Sequence, residues 1–597
     1  MTPETLFLCS VPFLAILGTH IMNFYNENIL LLLLIVLIAT VVFLVIFDKI
    51  MENLYPFAVF IISISLLYHT ALISNYIWGW DIQIEYYFAN LVLKNSLWDM
   101  GIYHSYNSVL SVVVLSPIYA KITGMDLRWV YKIIYPLLYS MVPLGLYSLF
   151  QRQTSNKIAF LSVFFFMSFA TFYTEVLAIC RQQIAELFFV LIIILMVNKN
   201  MEKIKRSVLS IIFAFSLAVS HYGLSYIFMF SLIIVWFITF SMDNLGAHKL
   251  INRFYSKLKD ENGIPNLGSF KKGNVAITSG FVLLFIAFTL TWYIYISGSA
   301  NLNAIIKIGN NIVNSIFTDF LDPKNVEALR LALNEGRPTL LSQLHRVIQY
   351  TNQMFIVIGV LFVLICKRMK FERTYTVFSA LNLIILFLCI TVPFLSSSLN
   401  MTRMYHITLF FLAPFCILGG HVIFRRVSYW TTKRRTIEFD KKSMKKSLRV
   451  LSVYFVIFFF LQTGFVYQLV EGYSGSFALN NTKDYPVFNE KEILCANWSV
   501  RMTENRTIFA DEYGELLLYS LRIDNLRIFP YDTIEIPGDS YLYFRTLNMK
   551  MGGVISFKFI GAGWKKRKIV KLTELVDDKN KIYDNGGAQL YYYDIGQ

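Results

Sequence analysis

Apolar runs of about 17 to 23 residues recur along this chain, the length a helix needs to cross roughly 30 Å of hydrocarbon. Residues 275–296 and 451–470 are two of them. Water is absent at that depth, so each run has to satisfy its own backbone N–H and C=O groups, as a helix does. Composition agrees. Of the 597 residues 56% are hydrophobic and 15% charged, where a soluble protein carries roughly a quarter charged residues. The runs predict about thirteen spans, near 6–22, 28–47, 55–74, 130–150, 158–175, 182–198, 206–220, 222–240, 275–297, 350–366, 374–396, 403–423 and 450–471. The fold class is therefore mostly α. A polytopic transmembrane helical bundle is expected over 1–471, followed by a mixed α/β extracytoplasmic domain over 472–597.

The net charge of +16 could indicate a nucleic-acid binder, but the placement of the charge argues otherwise. Arg425, Arg426, Lys433, Arg434, Arg435, Lys441, Lys442, Lys445, Lys446 and Arg449 crowd one short stretch against only Glu438 and Asp440. Residues 199–206 and 367–373 are smaller versions. Short basic loops between apolar runs mark the cytoplasmic side of a membrane protein. The six cysteines show no CxxC or Cys/His spacing, so no zinc or disulfide framework is read. Residues 1–10 lack a basic leader and an A-x-A site, and the first run is expected to be a retained span.

The stretch 109–119 decides the topology. It is apolar but short, and Pro117 interrupts it. Reading it as interfacial or re-entrant puts 151–157, 199–206, 242–272, 367–373 and 425–449 all on the cytoplasmic side, with the N-terminus. The protein is then a multi-pass cell-membrane protein whose loops 75–129 and 298–349 and whose C-terminal domain lie outside. The sequons at Asn400, Asn480, Asn497 and Asn505 fall on that outer side. Within the domain, 506–519 and 553–560 read as strands, and 581–591 as a hairpin around Asn585-Gly586 with a type I′ turn. The basic run 564–568 reads as a solvated face, with contact to anionic lipid or a donor phosphate as the alternative.

The first outer loop opens with Tyr76-Ile-Trp-Gly-Trp-Asp-Ile-Gln-Ile-Glu-Tyr-Tyr87. Its aromatic residues suit the headgroup level. Asp81 and Glu85 stand four residues apart and share a face if the segment is helical. Two acids at a membrane surface are costly unless they abstract a proton or hold a divalent cation, Mg or Mn. A polar juxtamembrane turn is the plain alternative. By the same parity Glu175, Arg181, His221, Arg403 and His406 gather at the outer edge, with Glu186 about one turn deeper. Arginines there suit a phosphate, to which the guanidinium offers a fork of donors. Snorkelling or an ordinary interhelical contact is the alternative for each, and the one favoured for His221 or His406 taken singly.

A span, an outer loop opening on Asp81 and Glu85, then Tyr106-Asn107 with Leu110, then another span: this order resembles the GT-C glycosyltransferase superfamily, with a GT-C-like core from about residue 55. In overall layout the chain is nearest to an archaeal branch of multi-pass membrane proteins. The superfamily uses polyprenyl-phosphate-linked sugars. The resemblance implies catalytic roles for Asp81, as the base, and Glu85. It implies substrate binding by Glu175, Arg181, Arg403, Tyr405 and Asn107, with the arginines on the lipid phosphate and Glu85 and Glu175 as orienters or metal ligands, and the outer-edge clustering adds His221 and His406 to the expected substrate-binding set. Tyr106-Asn107 and Leu110 are similar to the superfamily's Asn-Pro-Pro-Leu stretch without its prolines, and Arg403-Met-Tyr405 with Pro414 is similar to its Arg-Tyr…Pro pattern. The partners implied are a polyprenyl-phosphate sugar donor, a glycan, lipid or protein acceptor, and membrane lipid, with no nucleic acid. The expected reaction is inverting sugar transfer.

The alternative readings are a multi-pass transporter or flippase, an O-antigen-type polymerase for lipid-linked glycans, and a membrane scaffold. A transporter favours paired repeats and mid-membrane charges. Here no repeat is seen and the charges sit at span edges, Glu186 excepted.

Overall fold

The computed structural model describes residues 2–198, 200–244, 277–318, 326, 339–365, 371–395, 400–432, 441–470, 472, 475–480, 484–504, 506–522, 524–531, 536–561 and 564–594. Large parts of the basic loops 242–272, 367–373 and 425–449 fall outside these residues, as do Cys366, Thr482 and Asn505 and the side chains of 564–567.

Each apolar run is a helix. In chain order these are α1 Pro3–Tyr25, α2 Ile29–Ile46, α3 Tyr55–Ala71, α4 Asp81–Asn95, α5 Leu110–Val113 and α6 Leu115–Thr123. Next come the interrupted helix α7 Leu127–Gln151, α8 Asn156–Ser168, α9 Ala170–Tyr173, α10 Cys180–Val197, α11 Lys203–Ala218 and α12 Tyr222–Asn244. They are followed by α13 Ser279–Ile296, α14 Ala300–Ser315, α15 Leu340–Ile365, α16 Arg373–Thr391, α17 Met401–Thr432, α18 Lys441–Gln462 and α19 Phe465–Val470.

Among the described residues ten helices are long and apolar enough to cross a membrane, against about thirteen expected spans. The other three runs are also helical but differ in kind. The fifth breaks at Phe169, so that α8 has only 13 residues, all but its first two buried. Helix α11 has 16 residues, and α18 begins with a basic turn. The segment 109–119 falls in the two short helices α5 and α6, which together are shorter than the ten helices long enough to cross.

Glycine sets the tightest helix contact. A Cβ on Gly359 of α15 would lie 1.9 Å from the carbonyl oxygen of Phe415 on α17, and one on Gly419 of α17 would lie 1.9 Å from that of Phe355. The two backbones touch because both positions lack a side chain.

After the bundle the chain builds a small α/β unit from α20 Glu490–Met502, β1 Ile508–Ala510, α21 Glu512–Tyr519, β2 Leu526–Ile528 and β3 Ser540–Phe544. It continues with α22 Thr546–Met551, β4 Gly553–Gly561, β5 Trp564–Lys571, α23 Leu572–Val576, β6 Asn580–Asp584 and β7 Gln589–Tyr593. Five strands form one sheet in the order β2-β1-β3-β7-β6. Strand β1 runs parallel to β2 and β3, and β7 is antiparallel to β3 and β6. Strands β4 and β5 pair separately.

Two local expectations are corrected. Residues 506–519 contain only a three-residue strand before they turn into α21, because the Asp511 side chain accepts the Gly514 N–H and caps the helix. The hairpin does pair Asp584 with Gln589, but Asn585 is absent from the positive-φ residues and Gly586 alone has φ +73°. The loop is thus not type I′. Asn585 Oδ1 accepts the N–H groups of Gly587 and Ala588 and holds a four-residue turn.

Candidate functional site

Gly79 makes the turn that presents the acids. Its φ is +110°, and a Cβ there would come within 2.6 Å of Ala178 Cβ. The flanking backbone is bonded from two sides: Gly79 N–H donates to Pro486 O at 2.9 Å and Ile82 N–H to Ala178 O at 3.1 Å. Aromatic packing completes the support, with Trp78 4.8 Å from Phe477 and Trp80 edge-on to Tyr485 at 4.8 Å. Helix α4 starts at Asp81, where a carboxylate meets the positive end of the helix dipole. Glu85 follows one turn later, and Tyr131 OH donates to its carbonyl.

Helix α10 brings the counter-charge. Arg181 Nη2 donates to Asp81 Oδ2 at 2.6 Å and Nη1 to Glu85 Oε1 at 2.5 Å, while the Cys180 N–H reaches Glu85 Oε2 at 2.9 Å. The guanidinium carbon lies 4.5 Å from the Tyr106 ring centre and 5.4 Å from that of Tyr222. Arg181 and Glu85 are 2% and 1% exposed, but Asp81 is 32% exposed. So one acid of the pair faces the open side and the other is sealed. A buried arginine is tolerable here because two carboxylates and an aromatic face surround it.

The environments push the two acids apart. Burial raises the Asp81 carboxyl, but the Arg181 and Arg403 charges, with hydrogen bonds from Arg181 and Tyr106, outweigh it and hold it below the usual carboxylate range. Burial dominates at Glu85, which is pushed up to about 7 against the pull of Arg181 and with the help of Asp81's repulsion. Such a split is a common feature of acid–base sites.

The remaining expected residues divide. Arg403, at the start of α17, is half-buried and acts on Asp81 and Glu175, and it has no hydrogen-bond or ion-pair partner among the described residues. Glu175 Oε2 accepts from Thr402 Oγ1 at 2.5 Å. His221 Nδ1 accepts the Leu224 N–H at 3.0 Å, and its ring stacks on Tyr222. His406 is fully buried; its Nε2 lies 3.1 Å from Glu186 Oε2 and 3.1 Å from Tyr139 OH, and Gln182 donates to Glu186 Oε1 at 2.8 Å. Tyr405 packs edge-on to Phe169 at 5.2 Å. Asn107 Nδ2 donates to the carbonyls of Asp99 and Ile102, and its Oδ1 accepts from Trp98.

The fold therefore unites Asp81, Glu85 and Arg181, with Arg403 electrostatically coupled to Asp81 and also to Glu175. Asn107 instead braces its own loop, and Tyr405 and His406 tie helices together. The rings of Tyr106 and Tyr222 are additions beyond the expected set, as is Tyr139. Tyr106 stands beside Asn107 in the quoted motif, but nothing local marks it as the platform for Arg181.

A divalent cation asks for several oxygen ligands. Asp81 and Glu85 both close on Arg181, Glu175 is bonded to Thr402, and among the described residues no three His, Cys, Asp or Glu side chains form a group that could hold a metal. In this arrangement the described acids are engaged by Arg181 and Thr402 and do not form a ready-made set of ligands for a Mg or Mn ion.

Residues 206–591 match the family described as "Predicted membrane protein (DUF2206)". The acids and Arg181 precede that segment, and Arg403 falls within it. No curated protein matches the chain. Among solved structures, the chain is similar to the archaeal oligosaccharyltransferase AglB from Archaeoglobus fulgidus in complex with an inhibitory peptide and a dolichol-phosphate. The two are 11% identical over 88% of this chain and 75% of that one, with a TM-score of 0.48. The same enzyme's complex with Zn and sulfate gives 11% identity over 90% and 73%, and a TM-score of 0.45. The arabinofuranosyltransferase AftD from Mycobacteria is 10% identical over 91% of this chain and 42% of that one, with a TM-score of 0.42.

Proposed function

The chain belongs to this family of predicted membrane proteins, and from that premise we propose that it is an integral membrane glycosyltransferase. It takes a sugar from a polyprenyl-phosphate-linked donor and passes it to a glycan, lipid or protein acceptor with inversion. The observation that carries this reading is the partly exposed Asp81 carboxylate, held below the usual carboxylate range beside the buried Arg181–Glu85 pair and within reach of the Arg403 charge. The order of outer-loop motifs in the sequence supports it.

Asp81 accepts the proton of the acceptor hydroxyl as the hydroxyl oxygen bonds to the anomeric carbon. The bond from that carbon to the phosphate oxygen breaks on the opposite face, and polyprenyl phosphate leaves with the electron pair. A carboxylate at this position supplies general-base catalysis. Arg181 is spent on the two acids, so it orients Asp81, and Arg403 is the cation that meets the developing phosphate charge. Glu85 holds Arg181 in place.

The same reading places the N-terminus and the basic loops in the cytosol and the site on the outer side, with a membrane domain over 1–471 and an extracytoplasmic domain over 472–597.

Membranes containing the protein are expected to transfer labelled sugar from polyprenyl-phosphate donors, and Asp81→Asn is expected to lower the rate by about 10²- to 10⁴-fold. Full transfer by Asp81→Asn would remove the base assignment, and no transfer by the wild type from any donor would remove the enzyme class. One observation favours the transporter reading, the fully buried Glu186–His406 pair inside the bundle. It predicts proton-coupled uptake that Glu186→Gln abolishes, measured in vesicles.

A further inference from the structure

Helix α4 has two working faces. Asp81 and Glu85 point to Arg181, while Gln83, Tyr86, Tyr87 and Asn90 lie about half a turn around the axis. That second face lines a cavity of about 540 Å³ whose opposite wall is built by α20 and α21, through Asn497, Leu517 and Ser520. We propose that this cleft is a saccharide-binding site, separate from the acid site and independent of the transfer reaction assigned to it.

The lining selects the ligand class. The volume is that of a small-molecule site. Ile77, Leu91, Ile493, Leu517 and Leu521 supply apolar patches, but they are interspersed with amides, a hydroxyl, tyrosine rings and charged groups, where an acyl chain would call for a continuous aliphatic wall. A phosphate would call for convergent cations. Of the two cations lining the cavity, Arg128 lies 3.7 Å from Asp126, a carboxylate in the same wall that would repel a phosphate, and 5.5 Å from the Tyr76 ring, and Lys94 sits exposed at the rim. What remains is suited to a neutral polyol. The C–H faces of sugar rings pack on tyrosines while their hydroxyls bond with amides, which both donate and accept.

The polar groups are also available. Asn90 Nδ2 donates to Tyr86 O, Asn497 Nδ2 to Ile493 O, and Gln83 Nε2 to the carbonyls of Ile77 and Gly79. These bonds fix the three amides and leave the carbonyl oxygens of Gln83 and Asn497 facing no hydrogen-bond donor among the described residues, while the Asn90 amide also engages the Tyr86 side chain. The two rings are anchored as well, Tyr86 edge-on to Tyr131 at 5.6 Å and Tyr87 edge-on to Phe88 at 5.4 Å. A prearranged set of acceptors and rings loses little freedom on binding.

The test is a titration of the full-length protein in lipid nanodiscs with mannotriose, maltotriose and chitotriose, followed by saturation-transfer NMR. At least one trisaccharide is expected to bind. Tyr87→Ala and Asn90→Ala should each weaken it about tenfold, the equivalent of one lost contact of about 1.4 kcal/mol. Leu521→Trp, which fills the cavity from the far wall and leaves α4 intact, should abolish binding at an unchanged melting temperature, and Asp81→Asn should bind as the wild type does. Absence of binding by all three trisaccharides overturns the proposal. So does binding that Asp81→Asn removes and Leu521→Trp spares.

Discussion

Arg181 is the residue on which the acid pair depends. Its side chain bonds Asp81 and Glu85 at once and is almost fully enclosed. Arg181→Met strands a buried carboxylate and is expected to cost about 3–5 kcal/mol, seen as a lowered melting temperature in detergent. Arg181→Lys keeps the charge but cannot fork to both acids, so transfer activity should fall further than stability does. Glu85 adds a pH signature. Its carboxyl is raised from an ordinary value of 4.5 to about 7, first by burial. Between those values the unfolded chain has lost the proton and the folded protein keeps it, so the contribution to stability is full below 4.5 and declines as pH rises through 7. The wild-type melting temperature is therefore expected to drop between pH 5 and pH 8 relative to Glu85→Gln. Parallel curves for the two proteins would show that Glu85 does not titrate there.

Among the elements, the contact of α15 with α17 is set by two glycines whose missing side chains let carbonyl oxygens approach. Gly359→Ala and Gly419→Ala each drive a Cβ into backbone, which cannot yield as a side chain does. Each should destabilise the bundle by about 1–3 kcal/mol, measured by thermal unfolding. Gly420→Ala, whose new Cβ meets the end of the Leu451 side chain at 2.7 Å, serves as the milder comparison. Element boundaries show the limits of hydropathy. Helix α15 begins at Leu340, ten residues before the apolar run, since a helix can continue past hydrocarbon wherever its polar residues find water.

At the scale of the whole molecule, the irregular segment 484–489 that leads into the C-terminal unit braces the acid-bearing loop. Phe488 O accepts from Ser74 Oγ, Pro486 O from the Gly79 N–H, and the Tyr485 ring packs on both Trp78 and Trp80. The buried Arg545, paired to Asp511 at 2.6 Å, also reaches Asp484 at 3.5 Å in the same segment. Among the described residues the C-terminal unit thus supports the site without supplying an acid to it. Tyr485→Ala removes ring contacts worth about 0.5–1.5 kcal/mol. It should lower kcat/KM for transfer by up to about tenfold with unchanged helix content by circular dichroism. An unaffected rate would mean that the loop holds its position without this clamp.

Which segments become helices follows from the sequence by itself, because an apolar run in hydrocarbon has one way to satisfy its backbone. The common face of Asp81 and Glu85 follows as well, from a spacing of four residues. What fills that face does not. Arg181 lies 100 residues after Asp81, and only packing brings α10 against α4. Span parity puts a residue at one end of the bundle but says nothing of rotation about the helix axis. Asn107, Tyr405 and His406, expected to bind substrate, turn to loop bracing and interhelical contact for that reason. The segment 511–519 has strand-forming residues, but a side-chain cap and a buried arginine on a distant helix start made it helical. Local periodicity therefore determined the helices and one pair of acids, and long-range packing decided their partners, since rotation and distant pairing are free energies of the assembled fold and not of any one segment.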